Sequence, residues 1–384
     1  MEVYILNDFL LRVDVIDVYE SFIWTERWAE MGDFELVVQA TPQNRRRLLP
    51  GTRLAHHKSF RVMTIETVEI KEDDDGRIML TVKGPSLEQM LDDRIASDGV
   101  SKEWILTGTA GSIARQIFHQ ICREGSLNIS DKIPHLTVGS VYPLSTIPES
   151  ELSYSAAIPI STVYEAIVEI CEAHDMGFRL IRNPAWTAMY FDVYTGDDRT
   201  TLQTTFKPIV FSPDLDNLTN ITELTSIAQT KNVAYVIGLN DSIIVYGEGA
   251  DETTAGFNRR VLYVDATDIE DPAGPELTSI LTNKGLDALS KTRPLSAFDG
   301  EINQNSEHKY GIDYHLGDLV EMRSIDGGIN HMRVTEQIFV SDAEGERSYP
   351  SLTVKRFIAP EAWDAYDVET WDGGDQFDTW DSDL

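Results

Sequence analysis

The chain has 384 residues, with 32 lysines and arginines against 64 aspartates and glutamates, a formal charge of −32. At 42% hydrophobic residues it can build sizeable cores, and its length suggests about two to four compact units. Such an acidic surface repels phosphate, which argues against a nucleic-acid reader with a basic face and against binding to an anionic membrane.

The opening residues, Met1 to Asp8, lack the basic start and apolar run of a signal peptide. No stretch approaches the roughly 18 apolar residues of a membrane span, so no membrane insertion is expected. Two cysteines cannot build a disulfide framework, which fits synthesis in a reducing cytoplasm.

Taken in chain order, residues 1–95 read as a β meander closed by one helix. From Leu11 to Tyr19, Leu11, Val13 and Val15 (then Val18 after a slip) alternate with Arg12, Asp14 and Asp17. That is the period of a half-buried strand. Phe34–Ala40 is a second strand, and 60–70 and 78–82 flank the turn signal Asp75-Gly76. Ser86 and Gln89 have capping-box spacing at the start of a short helix.

Residues 96–205 mix the two periodicities. Helices are expected over 112–124 and 161–176, stopped by Gly125 and Gly177, with Thr162 and Glu165 as a capping box. A strand pair follows at 177–182 and 188–194. After 205 the chain is β again: a hairpin at 233–246, a strand at 260–264, a helix over 277–289 and a final meander at 319–357. No internal repeat of 20–50 residues is apparent.

The last 24 residues differ from the rest. Between Glu361 and Leu384 lie nine carboxylates, no lysine or arginine, and the aromatics Trp363, Tyr366, Trp371, Phe377 and Trp380. Self-repulsion opposes a packed core there, yet five large aromatics suit a segment that docks. These five are the candidate partner-docking residues.

Catalytic signatures are missing: there is no P-loop, no H-E-x-x-H and no G-x-S-x-G. His56 and His57 are neighbours on a strand and point to opposite faces, so they do not converge on a metal and read as a surface or interface pair. Asp214-Leu-Asp216 begins like a calcium loop, but Leu218 and Thr219 fill the next positions. Cys122 and Cys171 read as small buried hydrophobes. Neither a cofactor nor a metal is expected. With 64 carboxylates, a carbohydrate-active hydrolase working through paired acids is the alternative reading. Arg45-Arg46-Arg47 is the one concentrated basic run and the candidate subunit contact.

Three stretches carry a resemblance. They are Trp24-Thr-Glu-Arg-Trp28 with Gly32-Asp-Phe-Glu-Leu36, then Val82-Lys-Gly-Pro-Ser-Leu-Glu-Gln-Met-Leu-Asp-Asp-Arg94, and Tyr310-Gly-Ile-Asp-Tyr-His-Leu-Gly-Asp-Leu-Val320 followed by Val334-Thr-Glu336. In order and spacing the chain resembles the minor tail protein family of siphophages that infect actinobacteria, the hub proteins of the distal tail tip. The resemblance implies a β-rich, multidomain α+β fold with two β-barrel tube domains, 1–95 and a split unit of 206–235 with 295–358. Two peripheral domains, 96–205 (α+β) and 236–294, would be inserted, with 359–384 as an acidic tail. It further implies a non-enzymatic virion protein assembled in the host cytoplasm. Such a protein forms a homotrimeric ring that closes the tail tube and meets the distal tail protein, the tape measure protein and other tip components. DNA passes it only in transit, and the acidic charge suits that passage. By the same resemblance, larger relatives carry a lysozyme or peptidase module; none is expected here, and the acidic end is expected to attach the next tip component instead.

Overall fold

The structure is a computed structural model. It describes residues 1–72, 76–135, 153–182, 188–239, 241–267, 269, 275–292, 294–302, 307–323 and 328–354.

Its frame is one long ten-stranded sheet, antiparallel along its main path, with Leu319–Arg323 pairing off that path with Ile329–Asp342 and, in parallel, with Val210–Phe211. Eight strands follow one another in space: Leu218–Ser226, Leu295–Ile302, Gly345–Val354, Ile329–Asp342, Ser21–Arg27, Asp33–Gln39, Ile78–Pro85 and Thr67–Glu72. The last four come from the start of the chain and form a first half; the other four form a second half. Within each half the strands occupy the same spatial order: first, second, fourth, third in the sequence. The halves meet at a seam where Ile329–Asp342 pairs with Ser21–Arg27, from Glu336 opposite Arg27 to Ser341 opposite Phe22. A topological repeat is therefore present where the sequence shows none. It is hidden because the first two strands of the second half are separated by an inserted unit, whereas those of the first half are joined by a short turn.

Alternation explains which face packs. In Asp33–Gln39, Phe34, Leu36 and Val38 are buried while Asp33 and Gln39 are exposed. These residues, with Phe22, Trp24, Leu80 and Val82, pack on Val3, Ile5, Ile16, Leu54 and Met63. The latter belong to a second, four-stranded sheet ordered Arg12–Ile16, Val3–Leu6, Arg53–His56, Met63–Thr64.

Among the described residues the long sheet is open, ending at Thr67–Glu72 on one side and Leu218–Ser226 on the other. Neither half of this β-rich fold closes into a barrel among the described residues; both share one sheet, joined where the seam strands pair with each other.

Between the halves sits an α+β unit. Its strands Glu103–Gly108 and Tyr154–Pro159, and Gly177–Arg182 and Met189–Tyr194, pair antiparallel. Helix Ala110–Phe118 runs on into a π-helical turn, His119–Glu124, ended by Gly125 in the left-handed conformation. Helix Val163–Ala173 carries the expected Thr162–Glu165 capping box. Its core is continuous with Leu6, Leu10, Ala55, Leu91 and Ala96 of the first half. A second inserted unit packs helix Pro275–Ser290 on the sheet Ser242–Tyr246, Val233–Gly238, Val261–Ala266. Strand Val233–Gly238 runs across the expected 235/236 boundary.

Several local expectations are corrected. Strand Arg12–Ile16 exists, but Leu11, Val13 and Val15 are exposed and Ile16 is its only buried residue. Ser86 forms no capping box; its hydroxyl accepts the Gly32 N–H at 2.9 Å. Gly177 does not stop the preceding helix. Asp175 takes the left-handed conformation there, and Gly177 opens the next strand. The turns at 73–75 and 183–187 lie outside the described residues.

Candidate assembly surface

Among the described residues, the two end strands of the long sheet each have one neighbour and one open edge. Each edge region also exposes large apolar side chains: Ile70 and Ile78 on one, Leu224 and Ile227 on the other. Open edges and bare apolar residues together are the physical signature of surfaces that pair with another chain. The seam shows what such a pairing looks like when filled. There Arg27 Nε donates to Glu336 at 2.6 Å, its Nη1 donates to the Met31 carbonyl at 3.0 Å, and Asp33 is a second acidic partner.

Beneath the seam, the stretches that carried the resemblance converge. Trp28 donates its backbone N–H to Thr335 of the second half and accepts from the Phe178 N–H of the α+β unit. Its indole lies in a cradle of two glycines. A Cβ on Gly177 would sit 2.1 Å from Trp28 Nε1, and one on Gly317, whose φ is +89°, would sit 2.6 Å away. The Arg333 guanidinium covers the same ring at 4.5 Å and donates to the Gly317 carbonyl.

Beside Trp28 is a buried polar cluster. Glu26 accepts from Tyr310 Oη at 3.0 Å, from Trp24 Nε1 at 3.3 Å and from the Ser59 hydroxyl. Burial first, and then the Glu26 carboxylate, push the Tyr310 phenol well above its ordinary value. Arg61 pairs with Glu88 where both side chains are almost wholly buried, and Glu88 also accepts the Leu180 N–H at 2.7 Å. Paired and hydrogen-bonded, these charges tie five chain segments together, around residues 24–26, 59–61, 88, 180 and 310.

Of the sequence-derived site residues, the arginine run is the one within the described residues. It forms the short helix Pro42–Arg47. Arg47 is spent within the chain, donating to Asp14 Oδ2 at 2.9 Å and to the Val15 carbonyl at 3.1 Å. Arg45 and Arg46 remain exposed. Trp363, Tyr366, Trp371, Phe377 and Trp380 lie outside the described residues. Sequence reasoning missed Glu26, Arg61 and Glu88 as a set. Glu26 and Glu88 lie within stretches quoted for the resemblance, whereas Arg61 lies outside all of them and carried no signal.

Residues with chemical potential are otherwise engaged. Both cysteines are buried, and burial pushes the Cys122 thiol up to about 12. His56 is not the surface residue expected. It is buried among Phe22, Trp24 and Phe339, and burial drives its pKa well below the usual imidazole value. Asp214 lies in a 3-10 turn capped by Ser212. Among the described residues no cluster of three metal-ligating side chains forms. Asp318 and Asp197 come together on one cation, Arg199, at 2.7 and 3.2 Å. Asp287, raised to about 7 by burial and by Glu169, lies where the two inserted units touch, beside Glu169, Asn283 and Lys284. Lys291 pairs with that Glu169 at 2.8 Å.

Residues 2–351 match the family described as "Siphovirus ReqiPepy6 Gp37-like protein". The chain belongs to this siphovirus family. The match spans all three stretches and both halves of the long sheet, so the likeness to siphophage tail proteins drawn from the sequence is borne out. No curated protein matches. Among solved structures, the chain is similar to the tail protein from Neisseria meningitidis MC58, with a TM-score of 0.56 at 12% identity, covering 92% of this chain and 96% of that one. It is similar to the 43 kDa tail protein of prophage MuSo2 from Shewanella oneidensis (TM-score 0.55, 11% identity, 92% and 97% covered). It is also similar to prophage tail protein gp18 from Listeria monocytogenes EGD-e (0.51, 10%, 93% and 96%). At these identities the likeness is one of fold: the family member shares its whole fold with phage tail proteins.

Proposed function

We propose that this family member is a structural, non-enzymatic component of the virion tail, a ring-forming hub at the distal tip built from three copies. The observation that carries this reading is the repeated half-sheet. Within one chain, the third-in-sequence strand of the second half pairs with the first strand of the first half. The same rule applied between chains joins the edge Thr67–Glu72 of one copy to the edge Leu218–Ser226 of the next. Such a contact is heterologous and closes into a ring when the rotation between units allows it. Three copies with two halves each make an inner wall of six similar segments. The two halves are the tube units, and the inserted units lie outside them.

In this reading the ring stacks on the distal tail protein and the tape measure protein, and DNA crosses its channel during ejection. The uncovered face of the long sheet carries Asp33, Glu35, Glu69, Glu336 and Asp342 interleaved with Arg27, Lys71, Lys83 and Arg347. Interleaved charges weaken attraction for phosphate without a continuous acidic lining, so the role expected of the net charge is not carried by this face.

Native mass spectrometry with electron micrographs tests the proposal. The expected species has three times the 43.2 kDa mass and appears as an open ring. Ile70→Lys, a charge on one edge, is expected to abolish it without unfolding the chain. A ring that survives Ile70→Lys together with Leu224→Lys would refute the edge pairing.

A further inference from the structure

Strand Arg12–Ile16 is the outer strand of the four-stranded sheet and, among the described residues, pairs on one side only, with Val3–Leu6. Along it and at its ends Phe9 is 64% exposed, Leu11 46%, Val13 61%, Val15 40% and Val18 78%. Five large apolar residues beside an open backbone edge form a surface that needs a cover.

The rim of this surface is basic, in a chain with twice as many acids as bases. Arg12 lies over the Tyr4 ring at 3.8 Å, Arg53 reaches Asp8 at 2.9 Å, and Arg47 holds Asp14 and Val15. Arg45 and Arg46 stand exposed on the turn that carries Arg47. Arg182 donates to the Leu10 carbonyl, and burial together with the Arg12 charge lowers its pKa to about 9. Arg12, Arg45 and Arg46 therefore face solvent around the strand, beside Arg47 and Arg53 paired with Asp14 and Asp8, while Arg182 adds its charge from beneath it.

We propose that the acidic, aromatic segment 359–384 of the same chain lies along this strand. Its composition is the complement of the surface: nine carboxylates for the arginine rim, and Trp363, Tyr366, Trp371, Phe377 and Trp380 for the valines and Phe9. An extended segment adds backbone hydrogen bonds to an open edge while alternate side chains fill the apolar face. Arginine beside tryptophan adds cation–π attraction.

The segment reaches. Glu346, at the start of strand Gly345–Val354, holds the Met1 ammonium, and Met1 leads into Val3–Leu6, the strand that pairs with Arg12–Ile16. That ten-residue strand carries the chain about 33 Å away. The thirty residues after Val354 can extend about 100 Å, enough to return with length to spare.

Hydrogen exchange read by mass spectrometry on the full chain tests this. The wild type is compared with a triple variant, Trp363→Ala, Trp371→Ala and Trp380→Ala, which keeps every charge. In the variant, amides of residues 11–15 should exchange about tenfold faster or more, while the core strand Asp33–Gln39 stays unchanged. Arg45→Glu with Arg46→Glu, both exposed, should act in the same direction, as should salt near 1 M, where screening acts within about 3 Å. Equal exchange in the wild type and the triple variant overturns the proposal. So does protection that rises with protein concentration and persists in the triple variant, because a second copy would then be the cover.

Discussion

The two halves of the long sheet share a strand order and differ in what holds them. The first is sealed by aromatic and aliphatic packing: Phe22, Trp24 and Phe34 lie over a second sheet, with His56 buried neutral among rings. Among the described residues the second has no four-stranded backing sheet. Its core rests on Phe211, Tyr314, Met322, Met332 and Leu352. Charges do much of the remaining work: Asp318 accepts from the Asp197 and His315 N–H groups and pairs with Arg199, and buried Glu321 pairs with Arg323. Strand order depends on backbone pairing, which any side chains of the right period can support. Packing depends on each side chain's shape. A repeat can therefore persist in topology after it has vanished from side chains.

The largest expected effect lies where the halves join. Arg61→Met leaves Glu88 buried without its cation and should cost about 3–5 kcal/mol in denaturant unfolding at neutral pH. Arg61→Met with Glu88→Met should recover part of that loss, and no recovery would mean the pair is not the source. Next, Phe34→Ala in the first half should cost about 3–5 kcal/mol, and Leu352→Ala in the second should fall at the low end of about 2–5 kcal/mol. If Leu352→Ala costs as much as Phe34→Ala, the contrast between the halves collapses.

A smaller effect sets the inserted units apart from both halves. Asp287 holds its proton up to about pH 7 in the fold, against an ordinary value of 3.8. A carboxyl raised in this way adds stability that is fully present below about pH 4, fades as pH rises toward 7 and is then gone. Thermal unfolding from pH 4 to 8 should show that slope, and Asp287→Asn should flatten it. Smallest is Glu346, lowered to about 2 by Lys58 and the Met1 ammonium. Its contribution is present above about pH 4.5 and lost as pH falls toward 2. At neutral pH Glu346→Gln should cost no more than about 1 kcal/mol, because the pair is largely solvated.

Much of the local structure was legible in the sequence. The hairpin 233–246 and the Thr162–Glu165 capped helix follow from turn chemistry and period, which act over a few residues. The seam strand Ser21–Arg27 was not legible as a strand: its alternation is broken by Thr25 and Glu26, both buried because a distant segment supplies their partners. Arg12–Ile16 misled in the opposite sense. Its alternation was real, but periodicity reports that one face is apolar and not what covers it. The quoted stretches around Trp28, Glu88 and Gly317 pointed to the right places, while the contact among them depends on the fold as a whole.

The seam also bears on symmetry. Two similar half-sheets fused in one polypeptide can diverge separately, as the insertions here have done. In the proposed ring the inner wall then repeats six times while each outward unit appears only three times. A subunit of this design converts a sixfold surface on one side into three equivalent mounting points on the other. The number of appendages such a tip can carry is set by the covalent join between its halves, before any appendage is bound.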